Sequence, residues 1–100
     1  TIAIKGYLLE RIERAKNKKP KERKAWDKTI DIETLCKECG INPDNRMDKK
    51  RAIEAAEKCL DFWQQQSYIR KYKIKRAGSG KTAAVTAIEI DAGIREDRNP

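Results

Sequence analysis

The stretch "RAGSGKTAAV", residues 76–85, ends in Gly80-Lys81-Thr82, the closing residues of a phosphate-binding loop. Such a loop needs a glycine five residues before the Gly-Lys-Thr so that backbone amides can wrap the anion. It must also open a helix, whose N-terminal amides hold the phosphate. Lys75 occupies the glycine position, the run before it is lysine-rich, and "TAAVTAIEI" after it alternates as a strand does. The residues therefore predict a hairpin tip at "AGSGK", with no nucleotide cofactor and no hydrolysis.

Cys36 and Cys39 form a C-x-x-C, Cys59 follows, and the chain has no histidine. Structural zinc wants four ligands, usually supplied as sequence pairs. Here the pair falls on the apolar stripe of a helix and Cys59 on that of another, so core thiols are expected and a metal site is not. An odd number of cysteines argues against a disulfide framework and for a reducing, cytoplasmic setting. Without histidine, and with its carboxylates scattered, the chain is read as non-enzymatic and free of cofactors.

The remaining chemistry is cationic. Lys and Arg total 24 against 16 Asp and Glu, for a net charge of +8. Residues 16–28 sum to +5 and residues 67–82 to +6. Charge concentrated in this way suits a polyanionic partner. A membrane partner is not expected, since neither basic stretch has an apolar helical face to insert. The candidate contacts are Asn45, Arg46, Lys49, Lys50 and Arg51 in one cluster, with Lys71, Lys73, Lys75, Arg76 and Lys81 in another. Arg and Lys can read guanine edges and Asn adenine, while Asp44 and Asp48 would repel phosphates. The Lys16–Lys24 cluster is a further phosphate-binding candidate. Each cluster also has a structural reading, as a solvated helix end or as an edge strand guarded by lysines.

These residues must be positioned by a single domain with a modest core, since 100 residues allow no more. The chain starts at Thr1 without Met and reads as a piece of a larger parent, whose other domains would be partners. Ile4, Leu8, Ile12 and Ala15 predict a first helix over 2–16, with Tyr7 and Leu9 widening its stripe. Pro20 breaks the next stretch into a polar linker, and Trp26 is expected to re-anchor it on the core. Thr29–Asp31 reads as a short strand. In "IDIETLCKECGI", Asp31 is a helix cap, Ile32, Leu35, Cys36 and Cys39 form one stripe, and Gly40 ends the helix. Asn42 and Pro43 offer a new start for a third helix reaching about Gln65, anchored by Ala52, Ile53, Ala56, Cys59, Leu60 and Trp63. "YIRKYKIKR" and "TAAVTAIEI" then alternate as two strands of a hairpin. Ile69, Lys71, Lys73 and Lys75 should share its wetter face, and Thr86, Ile88 and Ile90 one face of the second strand. Trp26, Trp63, Tyr68 and Tyr72 all read as core. The core should span 2–91, with a frayed tail over 92–100.

That order of elements, carried by "IDIETLCKECGI" and "RAIEAAEKCLDFWQQQSYIRKYKI", resembles the winged helix-turn-helix family of DNA-binding domains. More narrowly it is similar to the modules of plasmid and phage replication initiators, although transcription regulators share the pattern. The resemblance implies an α+β, mainly helical domain of three helices and a β-hairpin wing. It also implies a double-stranded DNA partner, with the third helix in the major groove and the wing on the backbone or in the minor groove. A winged helix used for protein–protein contact is the alternative.

Overall fold

The structure is a computed structural model that describes residues 3–78 and 84–93. Its elements run α1 (Ile4–Lys16), a 3-10 turn (Pro20–Glu22), α2 (Ala25–Lys28), β1 (Thr29–Asp31), α3 (Ile32–Glu38), α4 (Arg46–Gln65), β2 (Lys71–Arg76) and β3 (Val85–Asp91). The result is a small, mostly helical α+β fold with a three-stranded antiparallel sheet in the order β1-β3-β2.

Helices α1, α3 and α4 form where the apolar spacing predicts, and α2 is a fourth helix where a polar linker is expected. Tyr7, Leu8, Ile12 and Ala15 of α1 are buried, and Ala52, Ala56, Leu60 and Trp63 of α4 form the facing stripe. Leu9 does not widen the stripe of α1 but lies 38% exposed, because α1 is rotated to bury Tyr7 on the opposite flank. Ile30, Ile88 and Ile90 close the core from the sheet, and Ile32, Leu35 and Cys36 from α3. Each such side chain contributes about 1.5–3 kcal/mol by leaving water. No polar or charged residue is buried among the described residues, so the core is held by apolar contact.

Asp31 caps α3 by accepting the Thr34 amide. Gly40, at φ +72°, ends it: the Gly40 amide bonds the Lys37 carbonyl and the Ile41 amide the Cys36 carbonyl. This is the left-handed helix stop that glycine makes without steric cost. Helix α4 starts later than the Asn42-Pro43 pair predicts. Asn42 Oδ1 takes the Asp44 amide in a local turn, and Asn45 is the true cap, accepting from the Met47 and Asp48 amides. The later start sets Asp48 in the first turn, where a carboxylate suits the helix dipole. The other end of α4 repeats the left-handed stop with Ser67, at φ +61°, in place of glycine.

Four further expectations are corrected. Residues 16–28 are not a free linker: Arg23 donates to the Ala15 and Gly93 carbonyls, and Lys18 pairs with Asp27 at 3.0 Å. Ile69 does not share the lysine face, because β2 begins only at Lys71 and the preceding turn folds Ile69 into the core, 1% exposed. In β3 a bulge sets Lys75 opposite Ala87 but Arg76 opposite Val85. The extra residue, Thr86, is exposed, and Val85 turns inward to join Ile88 and Ile90. The core also runs past Asp91, since Ala92 is buried. Residues 79–81 of the expected hairpin tip, Lys81 among them, lie outside the described residues. The Ala77 amide bonds the Ala84 carbonyl just inside them, and a strand rather than a helix follows.

Candidate nucleic-acid interface

The exposed cations fall into groups set by different elements. The first is the start of α4, where Arg46, Lys50 and Arg51 are exposed and Lys49 is half-buried. The lower half of the helix, locked into the core by Ala52, Ala56, Leu60 and Trp63, fixes their direction. Asn45 belongs to this group only in part, because its side-chain oxygen is spent on the cap and its amide nitrogen alone remains for a ligand. Met47, with 58% of its surface exposed, is not anchored in the core.

The second group is β2. Lys71, Lys73 and Lys75 are all exposed on one face, while Tyr72 and Ile74 pack inward. Antiparallel pairing sets Glu89 opposite Lys73 and Asp91 opposite Lys71 on that same face. Lys75 closes an ion pair with Glu89 at 3.1 Å, and Arg70 approaches Asp91 at 3.8 Å. The carboxylates missing from residues 67–82 are thus returned by the neighbouring strand. The helix and strand groups are not adjacent in the chain: the twenty residues of α4 carry its axis about 30 Å from Arg46 to Gln65.

The third group was legible only as a cluster of unknown path. Arg23 and Lys28 meet Arg70 and Lys71 around a groove of about 510 Å³, whose rim also holds Glu89 and Asp91. The basic stretch before β1 therefore lies beside the base of the β2–β3 hairpin. Within that stretch Asp27 is withdrawn: its carboxylate, 4% exposed, accepts the Lys24 amide and bonds Lys18. The Lys24 amide, and then Lys18, hold its pKa below the usual carboxylate value. Lys19, Lys21, Lys24 and Lys28 stay exposed.

Trp26 sits among them and is not core. It is 67% exposed, whereas Trp63 is 7% exposed and lies against Tyr68. The expected anchoring role falls instead to Arg11, whose guanidinium binds the Tyr7 hydroxyl and the Trp26 and Thr29 carbonyls. The sequence held the signal: the residues three and four before Trp26 are Arg23 and Glu22, so no apolar stripe runs through it. Tyr68 and Tyr72 do pack against the core, with their hydroxyls on Glu13 and Asp61. Burial first, then the Asp61 carboxylate, pushes the Tyr72 phenol up, so Tyr72 stays neutral.

Cys36 and Cys39 are buried in the core and Cys59 is half-buried against it, each as a free thiol. Burial pushes the Cys36 and Cys39 thiols up, the wrong direction for a reactive thiolate. Among the described residues no three His, Cys, Asp or Glu side chains are grouped to hold a metal ion. No helix among them is long and apolar enough to cross a membrane.

Comparison with protein-family models, with curated proteins and with solved structures finds no match to this chain.

Proposed function

We propose that this chain is a winged-helix module that binds double-stranded DNA, non-enzymatically, with α4 in the major groove and the β2–β3 hairpin as the wing. The observation that carries the reading is the element order: α3, a tight glycine turn, α4, and an antiparallel hairpin whose second strand lies between β1 and β2. That order supports the resemblance, and the exposed cations at the start of α4 and along β2 supply what phosphate and base contacts require. A role in plasmid or phage replication, or in transcription regulation, follows from the resemblance.

A second reading has one observation in its favour. Phe62, on the outer side of α4, is 57% exposed and suits a protein partner, including another domain of a longer parent.

A salt series on random duplex DNA separates the two. Log affinity should fall by roughly 0.9 per phosphate contacted, for about four to seven contacts. Arg46→Ala and Lys50→Ala should each cost about 1–3 kcal/mol on a preferred site and much less on random duplex. Salt-independent binding, or none in dilute buffer, would sink the DNA reading in favour of the protein-contact one.

A further inference from the structure

An exposed tryptophan costs solubility and gives nothing to the core, so its surroundings decide what it is for. Trp26 is 67% exposed, and among the described residues its ring stacks on no other aromatic and holds no cation. Its backbone, by contrast, is fixed. Arg11 binds its carbonyl, Asp27 accepts the Lys24 amide, and Lys18 clamps Asp27. The ring therefore projects from a held point of the backbone.

The stretch that carries it is cationic. Lys19, Lys21, Lys24 and Lys28 are exposed, Asp27 is turned inward, and Glu22 is the exposed carboxylate of the stretch. Protein-binding patches put an aromatic at the centre of an apolar surface and are poor in lysine. Here the aromatic has no apolar neighbours in sequence but Ala25, and exposed lysines lie on either side of it in the chain. An exposed aromatic in a basic stretch is what binds an unpaired base and its phosphates.

From this juxtaposition we infer that residues 19–28 form a single-stranded nucleic-acid site, in which Trp26 stacks on an unpaired base and Lys19, Lys21, Lys24 and Lys28 hold the flanking phosphates. The site is separate from α4 and does not require the duplex-binding reading. A duplex cannot use it fully, because its bases are already stacked on one another.

The test uses the whole chain and its own fluorescence. Trp26 and the buried Trp63 are its two tryptophans, so exposed emission reports Trp26. A dT oligomer of about sixteen nucleotides, within the usual range of such sites, should quench that emission and shield it from iodide. Trp26→Ala should weaken dT binding roughly 5- to 100-fold, the range of one base–aromatic stack. Trp26→Phe should retain most of the affinity and Trp26→Leu should not, and because the ring is exposed all three variants should fold. An rU oligomer in parallel shows whether the sugar is read, and tight binding of either strand supports the site. Absence of dT and rU binding, quenching by duplex as strong as by single strand, or full affinity in Trp26→Leu would each overturn it. Absent dT and rU binding, or full affinity in Trp26→Leu, leaves the duplex salt series untouched, so the two proposals fail separately.

Discussion

Residues 16–28 and the β2–β3 hairpin are both basic, and folding treats their charge in opposite ways. The hairpin stretch has the purer sequence, +6 over residues 67–82 with no carboxylate. Yet pairing with β3 sets Glu89 and Asp91 among Lys71, Lys73 and Lys75. The earlier stretch contains Glu22 and Asp27, but Asp27 is drawn in to fix α2. The hairpin is diluted by its neighbour in space; residues 19–24 are purified by their own fold, while Lys28 shares a groove with Glu89 and Asp91. Local charge density in a sequence is therefore a poor guide to surface potential wherever strands pair.

Triple substitutions test that contrast most strongly. Lys71, Lys73 and Lys75 changed together to Ala should flatten the duplex salt slope by up to about 2.7, or roughly 0.9 per lost contact. Lys19, Lys21 and Lys24 changed to Ala should leave the duplex slope nearly intact and flatten the single-strand slope by about two, at roughly 0.7 each. Titrations of both triples against both ligands fill the comparison. Equal effects of the two triples on duplex would erase the distinction between the regions.

A smaller effect comes from removing the diluting charge. Glu89→Gln leaves the strand and its pairing in place while releasing Lys75 from its 3.1 Å partner. Exposed pairs of this kind are worth roughly 0.2–1 kcal/mol. Duplex affinity in low salt should accordingly rise about two- to fivefold, with little change in melting temperature. If affinity falls instead, Glu89 is itself a contact, accepting from a base, and the hairpin face is a reader rather than a clamp.

Much of the fold was legible because it rests on local signals. Asp31, Gly40 and the stripes of α1, α3 and α4 are set by residues three or four apart, and the structure matches them closely. The span of β1 is readable too, but not its partner, since Thr29–Asp31 pairs with Glu89–Ala87, more than half the chain away. What escaped were choices between near-equal local options or effects of distant groups. Asn42 and Asn45 are both good caps, and only the fit of the following turn selects Asn45. The bulge at Thr86 flips Val85 inward, which a strict period of two cannot express. Of the candidate interface, the described cations are exposed, Lys49 aside, and Lys81 lies outside the described residues. The carboxylates beside them needed the third dimension, whereas Arg23 and Glu22 before Trp26 already argue against its burial.

The smallest effect, and the most local, is the acid response of Asp27. Its carboxylate takes the Lys24 amide at 2.8 Å and bonds Lys18 at 3.0 Å, and these lower its folded pKa below the value it has when unfolded. A carboxyl with a depressed folded pKa stabilises the fold fully above the ordinary carboxylate range and loses that contribution as pH falls through the folded value. The melting temperature of the chain should therefore exceed that of Asp27→Asn near pH 6, with the gap closing below about pH 3.9. Trp26 is the neighbouring residue, so its emission should shift and its iodide quenching rise over the same acid range, ahead of global unfolding. In Asp27→Asn both readouts should lose that local step. A gap in melting temperature that stays constant with pH would mean that Asp27 acts by packing alone. The exposed lysines of residues 16–28 would then owe nothing to a sequestered charge, and the contrast with the hairpin would reduce to the difference in their neighbours.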